Sequence, residues 1–142
     1  MTKPEPHRLR RETYVLRQEI TTRVSDNDGY GHLNAIRIGH YYEEARASFY
    51  KTLGDLKRHP RVLVAELSIR YLGEGFWPGT VEVATGIVRI STRSFVMGQG
   101  LWQNDRCIGL CDTVLVHTAG GASAPLPAAF RQELEQRLLK AD

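Results

Sequence analysis

Residues able to do acid–base chemistry are concentrated in one short glycine-rich stretch. Within nine residues it holds two carboxylates, an imidazole, a side-chain amide and two glycines: Asp26, Asp28, His32, Asn34, Gly29 and Gly31. A carboxylate can attack a carbonyl or act as a general base, and a histidine can orient a water or a neighbouring carboxylate. Glycines let backbone amides come close to a substrate. This stretch is therefore the candidate site for chemistry.

Each polar residue in the stretch also has a structural interpretation. Asp26 is expected to accept hydrogen bonds that stabilise the loop rather than to catalyse. Asn34 precedes a helical pattern, so helix capping and a role in the site are equally favoured. For His32 a hydrogen-bonded structural role is favoured. Elsewhere in the chain neither cysteine is followed by a plausible base, and no serine occupies a G-x-S-x-G turn.

A long helix must follow this stretch and position it. Apolar residues recur there at helical spacing: Ile38, Tyr42, Ala45, Phe49 and Leu53. Gly54 comes directly after them, where helices commonly end. The pattern predicts a helix over about 34–54. Glu44 lies on it and is expected on its solvated face.

The rest of the chain shows strand patterns separated by short turns. The predicted strands are 14–24, 62–71, 80–91, 94–103 and 106–118. Asn104-Asp105 is a plausible hairpin tip. Pro127 suits the first turn of a final helix, AAFRQELEQRLL. Strands joined by short turns, with few helices, predict an α+β domain with an antiparallel sheet.

Alternation within two strands assigns side chains to faces. Leu67, Ile69 and Tyr71 should share one face of the 62–71 strand. In the 80–91 strand, one face should carry Val81, Val83 and Thr85, and the other should carry Glu82 and Ala84.

Length and composition restrict the class of protein. A chain of 142 residues makes one domain, with 1–12 as a loose N-terminal arm and 119–126 as a flexible hinge before the last helix. The net charge is +3, and the 15 arginines among 19 basic residues are scattered without a recognition motif, so nucleic acid is not an expected partner. No run reaches membrane-spanning length, and the two cysteines suit a reducing compartment. We therefore expect a cytoplasmic protein that does not bind membranes.

The segment Asp28-Gly29-Tyr30-Gly31-His32-Leu33-Asn34 is followed nine residues on by Glu43-Glu44-Ala45-Arg46. Together they resemble the hotdog-fold acyl-CoA thioesterases of the 4-hydroxybenzoyl-CoA type, over about 12–117. The resemblance implies a hotdog fold: a five-stranded antiparallel sheet wrapped around one long central helix, here with a C-terminal helix added. It also implies hydrolysis of an acyl-CoA thioester to free acid and coenzyme A. No metal or redox cofactor is implied, because coenzyme A is part of the substrate.

The resemblance assigns roles within the motif. Asp28 takes the position of the catalytic carboxylate, which attacks the thioester carbonyl or activates a water that does. Backbone N–H groups around the helix N-terminus would hold the oxyanion. His32 and Asn34 complete the predicted catalytic set, and Tyr30 and Gly31 are expected to contact the substrate.

A second short match concerns the coenzyme. Arg89, Arg93 and Ser94 lie around the third-to-fourth strand turn and resemble a basic-Ser-aromatic stretch that the family uses near the pantetheine arm. Cations there would suit the phosphates of coenzyme A. A plain hairpin turn explains the same residues nearly as well.

The chain departs from the family pattern at several positions. Ala35 and Ile38 stand where the family often has Asn and Tyr, which implies a different acyl group. The longer segment LGEGFWPG puts Phe76 and Trp77 in a loop, as part of an interface or an exposed patch. A single sheet with one long helix also leaves an edge strand uncovered, so we expect a homodimer with continuous strand pairing, or a homotetramer.

Two other functions are weighed against the thioesterase. A hotdog enoyl-CoA hydratase needs its Asp and His five residues apart, whereas His32 is four residues after Asp28 and six after Asp26. A non-catalytic acyl-CoA-binding protein, such as a sensor or scaffold, is the alternative from another class. The acyl length or aromaticity, and coenzyme A against an acyl carrier protein, stay open.

Overall fold

The computed structural model describes residues 2–54 and 59–140. Its longest helix, α1, runs over Ala35–Lys51. Asn34 caps it, because the side-chain oxygen accepts hydrogen bonds from the N–H groups of Ile36 and Arg37 at 2.8 and 3.4 Å. Gly54 has a φ of +98°, the left-handed conformation in which glycine commonly terminates a helix. The predicted helix is confirmed, and its regular part ends three residues before Gly54.

Six strands and a second helix make up most of the remaining described residues. They are β1 (Leu16–Thr21), β2 (Val62–Tyr71), β3 (Thr80–Ile90), β4 (Ser94–Gln103), β5 (Arg106–Ala119), β6 (Ala122–Ser123) and α2 (Ala128–Glu135). The main sheet has the order β1-β3-β4-β5-β2, with every pair antiparallel, and the short β6 pairs with β5. The α+β prediction is confirmed, with five long strands around α1. Among the described helices none is long and apolar enough to cross a membrane.

The core lies between α1 and the inner face of the sheet. Buried helix residues such as Tyr42 and Ala45 pack against Val81 and Val83 of β3 in one apolar cluster. A second cluster joins Phe49 to β3, β4, β5 and α2. The predicted alternation of β3 is confirmed, because Val81 and Val83 face the helix whereas Ala84 packs on the outer face with Tyr14 and Trp102.

The hairpin predicted at Asn104-Asp105 is also present. The two residues have φ values of +50° and +64°, which a two-residue turn between twisted strands requires. Asn and Asp tolerate this conformation better than most residues.

The N-terminal segment differs from the predicted loose arm. Pro6–Leu9 and Arg11–Thr13 form two 3-10 turns. The Arg8 side chain is buried, and it donates hydrogen bonds to the Tyr14 hydroxyl at 3.0 Å and to Asp112 Oδ1 at 2.6 Å. A polar segment is thus fixed to the outer face of the sheet by an ion pair to a residue 104 positions away. Local composition cannot reveal such a partner.

Two C-terminal segments differ as well. Within 119–126, Gly120 and Gly121 have φ values of +62° and +83° and turn the chain so that β6 pairs with β5, a hairpin instead of a flexible hinge. The last helix ends at Glu135, before the predicted final turn. The following residues run along β3, where the Leu139 N–H donates to the Ile87 carbonyl at 2.8 Å. The reason is that β1 stops at Thr21 opposite Thr80 and pairs no further than Thr85, so β3 has free edge groups from there on.

The other edge of the sheet is open. Among the described strands β2 pairs only with β5. Its residues Val64, Leu67 and Tyr71 are 56%, 48% and 50% exposed. An apolar edge strand of ten residues thus remains available for pairing.

Candidate active site

The glycine-rich stretch folds back on itself as a small hairpin before α1. Asn27 and Leu33 form an antiparallel bridge, and the Asp28 N–H donates to the His32 carbonyl at 2.9 Å. Gly29 and Gly31 have φ values of +98° and +85°, which a residue with a side chain rarely adopts. The two glycines are therefore required by the turn itself, and they place Asp28 and His32 opposite one another.

The Asp28 carboxylate is exposed and held by its own loop. Its Oδ1 accepts hydrogen bonds from the N–H groups of Tyr30 at 2.8 Å and His32 at 3.3 Å. The other oxygen, Oδ2, has no hydrogen-bond partner within the described residues. One carboxylate oxygen thus orients the side chain while the other is free to react.

Backbone amides around Asp28 are almost all satisfied. Of the thirteen N–H groups from Asp26 to Ile38, twelve donate to groups of the described chain, and the exception is Ala35. Ala35 is exposed and is the first residue of α1, where the helix dipole favours negative charge. Its N–H is therefore the donor in this region that is available to a developing oxyanion.

His32 is positioned by the loop between β2 and β3. Its Nδ1 lies 3.5 Å from Glu74 Oε1, and its ring packs edge-on against Phe76 with centroids 5.2 Å apart. Backbone bonds join the two loops at Gly31 and Leu33, through Trp77 N–H and the Gly75 carbonyl. These contacts fix the His32 ring against the loop between β2 and β3, and its role in the site stays a prediction.

The same loop contains Phe76 and Trp77, and the structure places their side chains in different environments. Phe76 is 41% exposed beside His32, whereas Trp77 packs against the first core cluster. Gln103 holds the loop in place, because it accepts from the Phe76 N–H at 2.7 Å and donates to the Phe76 carbonyl at 2.9 Å. Sequence reasoning missed Glu74 and Gln103, since nothing in their local patterns links them to the motif.

Asp26 is structural, as predicted. It is 5% exposed and accepts hydrogen bonds from the Arg23 N–H at 2.9 Å and the Tyr41 hydroxyl at 2.6 Å. Burial, together with the bond to Asp26, raises the pKa of Tyr41. Loop and helix are thus joined by a buried hydrogen bond one turn and a half along α1.

The remaining motif residues take distinct positions. The Asn34 side-chain oxygen is occupied by capping α1. Tyr30 is 87% exposed at the tip of the hairpin, and Gly31 lies beside the Trp77 carbonyl. Glu44 is on the exposed face of α1, as expected. The structure therefore brings Asp28, Tyr30, Gly31, His32 and Asn34 together in one loop.

Arg89, Arg93 and Ser94 are not near this loop within one chain. The Asp28 end of β3 is marked by Thr80, which pairs with Thr21, and the far end by Ile90, which pairs with Phe95. Ten residues of extended strand separate these ends by roughly 33 Å. Arg93 is exposed and donates to the Ser123 carbonyl at 2.8 Å.

Metal-ligating side chains are not clustered in this region. Across the described residues no group of three or more His, Cys, Asp or Glu side chains is arranged to hold a metal ion.

Comparison with known proteins identifies the family. A profile of the thioesterase-like superfamily matches residues 22–134. A predicted thioesterase from Bacillus stearothermophilus is similar in structure (TM-score 0.79, 25% identity, 89% of this chain and 98% of that one). So is a thioesterase from Thermus thermophilus, solved with coenzyme A and zinc (TM-score 0.81, 26% identity, 88% and 95%).

A gentisyl-coenzyme A thioesterase shares the fold at lower identity (TM-score 0.73, 16% identity, 84% of this chain and 99% of that one). No curated protein sequence matched the chain. The family match covers most of the chain, and the solved structures reproduce the curled sheet around a central helix. The chain belongs to the thioesterase-like superfamily and has the hotdog fold.

Proposed function

We propose that this protein hydrolyses an acyl-CoA thioester to the free acid and coenzyme A, with Asp28 as the catalytic carboxylate. The observation that carries the proposal is that an exposed carboxylate and an unpaired backbone N–H both occur where the glycine-rich loop joins α1. Asp28 has a fixed but exposed carboxylate, and Ala35 has the one unpaired N–H of the loop and first helical turn that the structure describes. A thioester carbonyl needs an attacking group and an oxyanion donor, and these two supply them.

The chemistry follows two routes that use the same groups. The thioester oxygen accepts a hydrogen bond from the Ala35 N–H and gains charge at the positive end of the α1 dipole. Asp28 either attacks the carbonyl carbon and expels the coenzyme A thiolate, forming an acyl anhydride that water then hydrolyses to the free acid, or removes a proton from a water that attacks the carbonyl and expels the thiolate. His32 orients the water or the carboxylate in both routes. The proposed reaction requires no cofactor, because coenzyme A is part of the substrate.

The proposal extends to the 4-hydroxybenzoyl-CoA type of thioesterase. Support comes from the D-x-x-G-H-x-N segment from Asp28 to Asn34, in which backbone N–H groups of Tyr30 and His32 hold the Asp28 carboxylate. In the similar Thermus thermophilus structure, which was solved with coenzyme A, the ligand is of the same chemical class.

Coenzyme A binding is proposed to involve a second copy of the chain. The Tyr71 end of β2 is near the site, because the Tyr71 hydroxyl donates to the Ala35 carbonyl at 3.0 Å. The Val62 end is near Arg93, because Val62 pairs with His117, whose N–H donates to the Arg93 carbonyl. Antiparallel pairing of β2 with its symmetry mate would turn the partner end for end. The partner's β3–β4 turn, which carries Arg93 and is proposed to bind the coenzyme A phosphates, would then lie at the sheet edge where Asp28 is found.

The direct test measures coenzyme A release from a panel of short, long and aromatic acyl-CoA thioesters. We expect turnover of at least one class, together with a homodimer or homotetramer by light scattering. Tight binding of the same thioesters without turnover would instead support the non-catalytic acyl-CoA-binding alternative. A stable monomer at micromolar concentration would reject the proposed assembly.

A further inference from the structure

One side of α1 faces β2 and leads away from the proposed reaction centre. We call this surface the α1–β2 face and define it by Ala35, Gly39 and Arg46 of the helix and Leu67 and Ile69 of the strand. A side chain at Gly39 would lie 3.7 Å from the Ile69 side chain, so the two elements are close there. Ala35, Gly39 and Arg46 recur four and seven residues apart, which places them on one side of the helix. The α1–β2 face begins at the unpaired Ala35 N–H.

On the α1–β2 face, Arg46 is held by neutral acceptors. Its Nη1 donates to Gln99 Oε1 at 3.3 Å and to Thr113 Oγ1 at 3.4 Å. Gln99 is fully buried, and its Nε2 donates to the Tyr42 carbonyl at 3.0 Å and to the Thr85 hydroxyl at 3.1 Å. Those bonds fix the amide so that its oxygen faces Arg46. The guanidinium therefore has a defined position at the sheet surface.

The charge of Arg46 is not compensated. Within the described residues no carboxylate forms an ion pair with it, although Glu43 and Glu44 are near it in sequence. Its Nε and Nη2 groups likewise have no partner in the described chain. A guanidinium stays charged at any physiological pH, and a half-buried charge without a counter-ion is unfavourable. A guanidinium that neutral groups hold in place, with no counter-ion from the protein, is suited to binding an anion.

This guanidinium can be reached from the open side of the sheet. Leu67 pairs directly with Thr113, so the two side chains share the inner face. Leu67 is 48% exposed, and among the described strands only β5 pairs with β2. The strand pairing that we propose for β2 uses its backbone edge, so a ligand entering along the inner face of β2 would meet an apolar wall and then the Arg46 guanidinium.

We propose that Arg46 binds a carboxylate at the far end of the acyl group, so that the substrate is a thioester of a dicarboxylic acid. The inference rests on the proposed function, because it places the thioester carbonyl at Ala35. Eleven residues separate Ala35 from Arg46, about 16 Å along the helix axis, and the arginine side chain leans back toward the N-terminus. The guanidinium is therefore closer to the carbonyl than the Cα separation, and we choose an eight-carbon acyl chain as the probe length. A bidentate bond from Nε and Nη2 would neutralise the anion.

Binding is measured separately from turnover, with two thioether analogues that cannot be hydrolysed. S-(7-carboxyheptyl)-CoA and S-octyl-CoA have equal chain lengths and differ in the terminal carboxylate. By calorimetry the wild-type protein should bind the carboxylate analogue about 10- to 100-fold more tightly, the range for a hydrogen bond between charged groups. Arg46→Met keeps the apolar stem and should abolish the difference. Lys51→Met, which removes an exposed cation from the same helix, should preserve it.

Turnover then separates this inference from the proposed function. Suberyl-CoA should be hydrolysed with a higher kcat/KM than octanoyl-CoA by the wild type, and Arg46→Met should reverse that order. Equal binding of both analogues by the wild type would overturn the inference, even if both thioesters were hydrolysed. Loss of both affinities in Arg46→Met together with dissociation into monomers would also overturn it, because Arg46 would then pair with a carboxylate of a second copy. Retained discrimination in binding without any hydrolysis would uphold it and reject only the proposed chemistry.

Discussion

The loop that carries Asp28 and the edge strand β2 are neighbours, but their backbone groups find hydrogen-bond partners in different ways. In the loop and first helical turn, twelve of thirteen backbone N–H groups have acceptors in the described chain, mostly within a few residues. Along β2 one side of the backbone is paired with β5, whereas the other is open in the described structure. The loop is thus satisfied internally, and the strand requires groups from elsewhere.

This difference supports the proposed division of reaction and specificity between the two regions. A self-contained loop holds Asp28 and Ala35 N–H in fixed positions before any substrate arrives, which is the property that oxyanion stabilisation needs. The open strand and the uncompensated Arg46 offer apolar surface and charge to whatever binds. Changes in the loop should therefore alter turnover, and changes along β2 should alter binding and assembly.

The largest effect is expected for Asp28→Asn. The asparagine oxygen can keep both bonds to the Tyr30 and His32 N–H groups, so the loop should fold, but the negative charge is lost. Turnover should fall by about 100-fold or more, the usual scale for a positioned acid–base group. Substrate binding should persist or tighten, because a negative charge beside the reacting carbonyl is gone. Coenzyme A release under saturating substrate measures the effect.

Two companions make that result specific. His32→Ala should reduce turnover less than Asp28→Asn, because His32 has a supporting position. Asp105→Asn removes an exposed carboxylate from a hairpin tip on the sheet and should leave turnover unchanged. A folded Asp28→Asn protein with near-normal turnover would contradict the assignment and make Glu44 the next carboxylate to test.

A smaller, binding-only effect is expected for Arg93→Ala. If the partner's Arg93 contacts a coenzyme A phosphate, KM should rise about 10- to 100-fold while kcat stays nearly constant, because the contact exists in both ground and transition states. The loss should shrink for an N-acetylcysteamine thioester, which has no nucleotide. Folding should be little affected, since Arg93 is exposed with one bond to the Ser123 carbonyl. Equal losses on both substrates would show that the arginine is structural.

Leu67→Lys should weaken the dimer and raise its dissociation constant by about tenfold. In a monomer the new side chain reaches solvent, because Leu67 is 48% exposed. In a dimer joined along β2 the new charge would lie beside the partner strand, although a long lysine can extend its charge toward water and limit the cost. Leu9→Lys, at a similarly exposed leucine on the N-terminal turns, is the matched control. Light scattering over a dilution series measures the dissociation of each variant. Equal dissociation of the two variants would contradict a dimer interface along β2.

What the sequence predicted is mainly local. The helix over Ala35–Lys51 followed from spacing and from Asn34, and β4 was predicted with its observed ends. The role of Asp26 followed from its place in a turn. These features depend on residues close in the chain, and periodicity and turn chemistry report such interactions directly.

Features that escaped prediction depend on distant partners. Arg8 is buried because Asp112 lies across the sheet, and Gln103 fixes the Phe76 loop across 27 residues. Arg46 belongs to the quoted motif, but its platform of Gln99 and Thr113 comes from β4 and β5. Register between strands decides such contacts, and a single sequence does not contain the register.

The smallest expected effect concerns Tyr50, one turn beyond Arg46. Its hydroxyl is buried without a hydrogen-bond partner in the described chain, and burial raises its pKa to about 12. Tyr50→Phe should leave the free energy of unfolding at pH 7 unchanged or raise it by up to about 1 kcal/mol, since an unsatisfied buried donor is removed. In the wild type the folded state holds this proton more tightly than the unfolded state, whose pKa is about 10, so stability falls as the pH rises from about 10 to 12. The variant should lose less stability across that window, which urea unfolding at pH 7, 10 and 11.5 would measure.

Tyr30→Phe, at an 87% exposed tyrosine, should match the wild type throughout. If Tyr50→Phe instead destabilised the assembled protein at pH 7 by more than 1 kcal/mol, the hydroxyl would have to bond to a second copy, and the open side of the fold would be satisfied by assembly rather than by substrate.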